Sequence, residues 1–463
     1  MQQKPRLNVS GYRGIWGQDL NEQIAFEYAR SFAKMIKKTT KDAPKILVGR
    51  DGRETGPFIL NSFEKAFKLE GIEMIYAGII PTPSVLLLTR KLVLDGGVII
   101  TASHNPKEYN GLKFVNRKGL FVTETESTEI QNTKDNLTDE EKKIPSGNLA
   151  DSLLTADNVE FRRIHINEVL KNIDVEKIKA KKFKVAIDPV NSSACLIDYD
   201  LLLELGCEIF MINSEPNGKY TRGLEPIAVN LSDIARETAE RHADIGFAQD
   251  PDADRLVVIN EKGEILSEEY TLALALKNVL SREENKNTNK DVVVNMSTFN
   301  VSADVTEEYG ANVHRTKIGE ANVVTKMTEI NALIGGEGSG GVIFPKINSA
   351  RDSLVGIGLI LELLARENKT ISEIADNLPK YFIQKDKITF NGDLPTLYEK
   401  LKKEFFNAKI NTLDGVRFDW LDKSWIHIRP SNTEPIVRIF GEAKTENRIK
   451  ALFEQVRLTL NSQ

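Results

Sequence analysis

Cysteine is nearly absent: Cys195 and Cys207 are the only two in 463 residues. Their spacing matches neither a zinc site nor a disulfide framework, which excludes a stapled secreted scaffold and suits a reducing compartment. No apolar run is long enough to span a bilayer. The start, Met1-Gln2-Gln3-Lys4-Pro5-Arg6, has no apolar core of the signal-peptide kind, so the expected location is cytoplasmic, with no membrane partner. An excess of positive charge is missing too. The formal net charge is −5, which argues against a non-specific nucleic-acid binder. An anionic ligand would have to be held by local cations, because the overall field repels it weakly. There is no collagenous or repeat bias, and 41% hydrophobic with 28% charged residues is an ordinary globular balance.

What is present is length and alternation. The chain exceeds one ordinary core, and domains of about 100–150 residues predict three or four of them. Asn21 caps a helix with Ile24, Tyr28, Phe32 and Ile36 on one face. Strand Ile46–Val48 opens into Gly49-Arg50-Asp51-Gly52-Arg53, and a helix starts at Pro57 and ends at Gly71. Strand Glu73–Tyr76 leads through Pro81-Thr82-Pro83 to a further helix, and Val98-Ile99-Ile100 reads as a buried strand. Residues 123–150 are polar and predict a solvated loop or short helix, followed by a boundary near 155. The alternation repeats with strands Lys184–Ile187, Glu208–Ile212 and Ile245–Ala248, then with Asp291–Val294, Ala311–Thr316 and Ala332–Ile334. Alternation of this kind predicts mostly parallel sheets. The last segment changes character: Val416–Trp420, Ser424–Ile428 and Ile436–Phe440 alternate as half-buried strands before a closing helix. The expected fold class is therefore α/β, with three similar domains of mixed, mostly parallel sheet and a C-terminal α+β domain. The expected spans are 1–155, 156–257, 258–379 and 380–463.

Several stretches carry chemistry. Thr101-Ala102-Ser103-His104-Asn105-Pro106 follows a strand, at the end where open α/β sheets bind ligands. A serine there is either a plain turn residue or a nucleophile. Lys113, just beyond, is either a solvated lysine or a general acid–base with a lowered pKa. Asp250-Pro251-Asp252-Ala253-Asp254-Arg255 sets three carboxylates at a spacing of two. Unpaired, they would raise one another's pKa values; a hard divalent cation such as Mg²⁺ relieves that. An EF-hand is disfavoured because Arg255 stands where its glycine belongs and the flanks read as strands. Gly335-Gly336-Glu337-Gly338-Ser339-Gly340-Gly341 allows close approach of a ligand to backbone but lacks the P-loop lysine and the dinucleotide spacing. Arg429-Pro430-Ser431-Asn432-Thr433-Glu434-Pro435, with Arg438 beyond, has the composition of a phosphate clamp.

Taken together and in this order, these stretches resemble the α-D-phosphohexomutase superfamily, over essentially the whole chain. The resemblance makes Thr101–Pro106 the phosphoserine loop, Asp250–Arg255 the magnesium loop, Gly-Glu-Gly-Ser-Gly at 336–340 the sugar loop and Arg429–Pro435 the phosphate loop, arranged around a central cleft. It implies catalytic roles for Ser103, Lys113, His104 and Arg13, the last from Ser10-Gly11-Tyr12-Arg13-Gly14. It implies a magnesium site of Asp250, Asp252, Asp254 and the Ser103 phosphate. Substrate contacts would come from Arg255, Glu337, Ser339, Arg429, Ser431, Asn432, Thr433 and Arg438. Arg50–Arg53 and Pro81–Pro83 resemble segments that pack near the phosphoserine loop. Ser192 replaces a commoner glycine, so its turn must avoid positive φ or be strained there. Glu320 and Gly341 also depart from some subfamilies.

The implied reaction interconverts a hexose 6-phosphate and its 1-phosphate through phosphorylated Ser103 and a bisphosphorylated sugar. One Mg²⁺ per chain is expected, with a hexose 1,6-bisphosphate as activator, a small phosphosugar as partner, and a monomer or homodimer. The sugar loop resembles microbial phosphoglucosamine mutases more than phosphomannomutase/phosphoglucomutase. A phosphatase that gives the Ser103 phosphoryl group to water and a non-catalytic phosphosugar binder are the competing readings. The first lacks an evident water-activating base; the second has no need of Ser103, Lys113 and three aspartates.

Overall fold

The computed structural model describes residues 5–40, 43–147, 159–285, 290–390, 392–430 and 436–461. Its first sheet contains β1 (Tyr12–Ile15), β2 (Lys45–Arg50), β3 (Glu73–Ile79), β4 (Gly96–Ile100) and β5 (Tyr109–Asn116), in the order β1-β5-β4-β2-β3. The second contains β6 (Lys184–Asp188), β7 (Glu208–Met211), β8 (Ile245–Gln249) and β9 (Leu256–Ile259), in the order β7-β6-β8-β9. The third contains β10 (Asp291–Asn295), β11 (Asn312–Thr316), β12 (Ile334–Glu337) and β13 (Gly341–Ile343), in the order β11-β10-β12-β13.

These three sheets share one plan. Three parallel strands are followed by a fourth that turns back antiparallel to the third: β5 on β4, β9 on β8, β13 on β12. The first sheet adds β1 at its edge. The central parallel strands are mostly apolar and buried on both faces, as in Val98, Ile99 and Ile100, because helices cover both sides. The fourth sheet, β14 (Phe382–Thr389), β15 (Lys409–Asn411), β16 (Val416–Asp419), β17 (Trp425–Pro430) and β18 (Ile436–Ala443), is antiparallel throughout, with the helix Glu446–Asn461 packed on it.

Local signals hold where they were read. The Asn21 side chain accepts from the Ile24 N–H at 2.9 Å, and Gly71 closes its helix in the left-handed region at φ +70°. The polar stretch after Val122 forms a helix of 12 residues, Glu124–Asp135, started by a capping box between Thr123 and Glu126. Around Ser192 the positive φ falls on Val190 and Asn191 instead. The Ser192 hydroxyl donates to the Pro251 carbonyl at 2.7 Å and accepts from the Gly52 N–H at 3.0 Å, joining the first two sheets.

The boundary expected at 257/258 falls inside β9, which pairs with β8 and belongs to the second sheet. One continuous apolar cluster runs from that sheet into the third, through Ile187, Phe247, Leu272, Val292 and Leu359, whereas the first and fourth units have cores of their own. The boundary near 155 lies outside the described residues. Both cysteines are free, and among the described residues no helix is long and apolar enough to cross a membrane.

Candidate active site

The shared plan decides where the chemistry sits. In each of the first three sheets the turn between the third strand and its antiparallel fourth carries one of the sequence motifs: Ser103 between β4 and β5, Asp250–Arg255 between β8 and β9, and Glu337–Gly340 between β12 and β13. Each turn has a residue in the left-handed region, Ser103 at φ +51°, Ala253 at +54° and Gly340 at +88°. For a serine that conformation is uncommon and strained, and it is held by its surroundings. Arg53 provides much of that hold. Its guanidinium donates to the carbonyls of Ser103 (2.6 Å), Asn105 (2.7 Å), Pro106 (2.9 Å) and Tyr109 (2.9 Å).

The loops meet. Ser103 Oγ donates to Asp250 Oδ2 at 2.8 Å, and Lys113 Nζ donates to Asp252 Oδ2 at 2.5 Å. Thr82, from the Pro81-Thr82-Pro83 turn, donates its hydroxyl to the same Asp252 oxygen at 2.7 Å. Ligand oxygens of Asp250, Asp252 and Asp254 all lie within 4.8 Å of one another. Lys113 and Arg351 bond to the Oδ2 atoms of Asp252 and Asp254, while Oδ1 of each is buried without a hydrogen bond among the described residues, that of Asp254 lying 3.9 Å from Arg255 Nε. Two free carboxylate oxygens facing a third carboxylate form an oxygen donor set that suits Mg²⁺. Burial and the neighbouring Asp254 and Asp252 charges push the Asp250 carboxyl well above the ordinary range. Burial opposes the charge of Asp252 as well, but Lys113 and the Thr82 hydroxyl hold it below that range.

His104 Nδ1 lies 3.2 Å from Ser103 Oγ. Burial, reinforced by Arg255 and Arg13, lowers its pKa to about 2, so the ring is neutral at working pH and supplies no positive charge. Arg13 donates to Asn105 Oδ1 at 2.8 Å, beside the serine. Its pKa is lowered by burial against the pull of Asp252. The Arg255 backbone N–H donates to Asp250 Oδ1 at 3.2 Å, and its guanidinium lies 3.9 Å from Asp254 Oδ1 and 3.3 Å from Glu225.

Glu337 accepts from Asn295 Nδ2 (2.8 Å) and the Gly319 N–H (3.0 Å) on one oxygen. Its other oxygen accepts from Arg351 Nη1 at 2.9 Å. No side-chain hydrogen bond joins Ser339 to the other motifs among the described residues. Next to Gly319, the Ile318 N–H donates to Asp414 at 2.9 Å, and Asp414 lies 3.4 Å from Arg429 Nε. The turn at 317–319 thus links the Glu337 loop to the fourth unit. There Arg429 on β17 and Arg438 on β18 stand directly opposite one another. Like charges so placed repel, and both Nε atoms are buried without a hydrogen-bond partner among the described residues. Two guanidinium groups in that state form a binding place for an anion such as a phosphate. Ser431, Asn432 and Thr433 lie outside the described residues.

Arg351, which contacts Asp254, Glu320 and Glu337, was not anticipated from sequence. It stands alone between β13 and a helix capped by Asp352. No local sequence pattern marks it.

Comparison with known proteins bears on the whole arrangement. Four domain families match in order: phosphoglucomutase/phosphomannomutase alpha/beta/alpha domain I at residues 4–141, domain II at 163–263, domain III at 267–382, and the C-terminal domain at 393–459. The chain is 34% identical over 447 residues to a phosphoglucomutase/phosphomannomutase of Thermococcus kodakarensis, covering 96% of both chains. It is 32% identical over 456 residues to a phosphoglucosamine/phosphogalactosamine mutase of Sulfurisphaera tokodaii, covering 97% of this chain and 98% of that one. A solved phosphoglucomutase/phosphomannomutase family protein of Burkholderia thailandensis superposes with a TM-score of 0.82 at 25% identity, covering 100% and 98%.

Proposed function

The chain belongs to the phosphoglucomutase/phosphomannomutase family and is an α-D-phosphohexomutase, and from that premise we propose which residues do the work and on which sugar. Ser103 carries the phosphoryl group. The free hydroxyl of a bound hexose monophosphate attacks phosphorus, the P–O bond to Ser103 Oγ breaks, and the hydroxyl proton is lost to the site as Oγ gains one. The bisphosphate so formed turns over in the cleft, and its other phosphate returns to Ser103. Lys113 is the proton-carrying group for this exchange, because it bonds to Asp252 while Ser103 bonds to Asp250 of the same loop. His104, neutral and 3.2 Å from Oγ, relays a proton or orients the hydroxyl, and Arg13 screens the developing charge.

Asp250, Asp252 and Asp254 would hold one Mg²⁺, which supplies Lewis-acid neutralisation of charge on the transferring group. Glu337 and Ser339 accept from sugar hydroxyls. Arg429 and Arg438, with Ser431, Asn432 and Thr433, hold the phosphate that is not reacting, and Arg255 guides the sugar phosphate at the cleft wall. Fixing the substrate at both ends lowers the barrier by several kcal/mol, an order-of-magnitude positioning effect.

The observation that carries this reading is the meeting of Ser103, the aspartate loop and Lys113 in one buried cluster, with carboxylate oxygens left free beside the serine. The sugar is glucosamine: the loop Gly-Glu-Gly-Ser-Gly-Gly and the relatives named for glucosamine phosphates support it. The test is a coupled assay with Mg²⁺ and a catalytic amount of hexose 1,6-bisphosphate, run on the 1-phosphates of glucosamine, glucose and mannose. The highest kcat/KM is expected for glucosamine 1-phosphate; a clear preference for glucose or mannose would transfer the chain to the phosphoglucomutase/phosphomannomutase reading.

A further inference from the structure

Every guanidinium nitrogen of Arg351 is engaged by a carboxylate from a different segment. Nη2 donates to Asp254 Oδ2 at 2.5 Å, Nη1 to Glu337 Oε2 at 2.9 Å and Nε to Glu320 Oε2 at 3.2 Å. Its backbone N–H donates to the other Glu320 oxygen at 2.9 Å, so the stem is fixed as well as the head. The aspartate loop of the second sheet and the glutamate of the third are thereby tied through one side chain. A lysine offers a single point of charge and could not match this three-way fork.

The chain also makes room for it. A Cβ built at Gly341 would lie 2.3 Å from Arg351 Cδ and 2.8 Å from Cγ, so any side chain at 341 displaces the arginine. Gly341 and Glu320, two positions where the sequence departs from some subfamilies, thus both bear on Arg351. Without the arginine, Glu337 would keep the Asn295 and Gly319 bonds on one oxygen only, and its carboxylate plane could turn about that edge.

We propose that Arg351 is a positioning residue for sugar recognition: braced on Asp254 and Glu320, it holds the Glu337 carboxylate in the orientation that accepts from the sugar hydroxyls. This rests on the reading of Glu337 as the sugar-reading residue. Discrimination then depends on a side chain that need not touch the sugar.

The test measures kcat/KM for the 1-phosphate of the preferred sugar against its 3-deoxy and 4-deoxy analogues, in the full-length enzyme with Mg²⁺. The ratio reports use of the hydroxyls and does not move when a variant merely loses folded protein. Three variants are compared: Glu337→Gln, Arg351→Lys and Gly341→Ala. The last leaves every charge in place and serves if Arg351→Lys folds poorly. In both Arg351→Lys and Gly341→Ala the preference for the parent sugar is expected to fall about tenfold or more, the scale of a lost charge-assisted hydrogen bond. Combined with Arg351→Ala, which removes the atoms that Gly341→Ala would displace, the alanine at 341 is expected to have little further effect. A preference lost in Glu337→Gln but kept in Arg351→Lys and Gly341→Ala overturns the role of Arg351 alone. A preference unchanged in all three, or absent from the wild type, overturns the reading of Glu337 and the inference with it.

Discussion

The two ends of the site are built on opposite deficits. At the serine end, three aspartates crowd together, and Lys113 and Arg351 already bond to them, leaving Asp252 Oδ1 and Asp254 Oδ1 buried without a hydrogen bond among the described residues. At the far end, Arg429 and Arg438 face one another across two strands, with Asp414 3.4 Å from Arg429 Nε, and neither Nε makes a hydrogen bond among the described residues. Buried polar atoms without partners are costly and rare in folded proteins. Their placement here is informative: one end lacks a cation and the other lacks an anion. On the proposed reading a Mg²⁺ at the aspartates and the sugar's own phosphate at the arginines would meet one deficit each. The fold supports the difference. The serine end is assembled from turns of three similar sheets with buried cores, whereas the anion end belongs to the separate antiparallel unit.

Substitutions can break that contrast, the largest effect first. Ser103→Ala removes the group that accepts and returns the phosphoryl group, and mutase turnover in the coupled assay should fall by at least roughly 10³-fold. Near-normal turnover in that variant would remove the serine from the mechanism. Arg429→Met takes one of the two facing guanidinium groups from the anion end. There kcat/KM should fall by about 10–100-fold, the scale of one or two charge-assisted hydrogen bonds, with KM rising and phosphorylation of Ser103 unaffected. A fall confined to kcat would show that this end does not anchor a ground-state phosphate.

Glu269 gives the smallest and most discriminating effect. It is a buried carboxylate of the third unit that accepts from the Phe299 N–H at 3.0 Å and lies against Gly338. Burial raises its pKa from the ordinary 4.5 to about 8. Because the folded protein holds this proton more tightly than the unfolded chain, the stability Glu269 contributes is complete below about pH 4.5 and is lost as pH rises through about 8. Glu269→Gln should therefore unfold a few degrees higher than wild type at pH 9, with the gap closing near pH 5. Thermal unfolding at both pH values measures this. A gap that widens toward acid would reverse the sign and contradict a raised pKa.

Much of this was legible because three of the motifs are contiguous and fall on strand-to-strand turns. Thr101–Pro106, Asp250–Arg255 and Gly335–Gly341 each place their chemistry within a few residues, so local pattern and turn signals locate them. What sequence could not give were the single residues that reach across from elsewhere. Arg351 lies 97 residues from Asp254 in the chain. The Ser192 hydroxyl reaches Gly52 across 140 residues, where only a departure from glycine was visible. The boundary after Val257 was misplaced because β9 turns back on β8, and the apolar cluster runs on into the third unit without a polar break. Charge told less than geometry. The neutrality of His104 follows from burial beside Arg255 and Arg13, which no local pattern announces.

The contrast between the ends rests on one event, the passage of a phosphoryl group between Ser103 and a sugar held at its other phosphate. The direct test is a single turnover with Ser103 carrying a radiolabelled phosphoryl group, mixed with unlabelled glucosamine 1-phosphate and Mg²⁺ and quenched over time. The label should leave the protein, appear in a sugar bisphosphate and then in the 6-phosphate product, while Ser103 regains an unlabelled group. Label released as inorganic phosphate, or retained on the protein while the sugar turns over, would contradict the account.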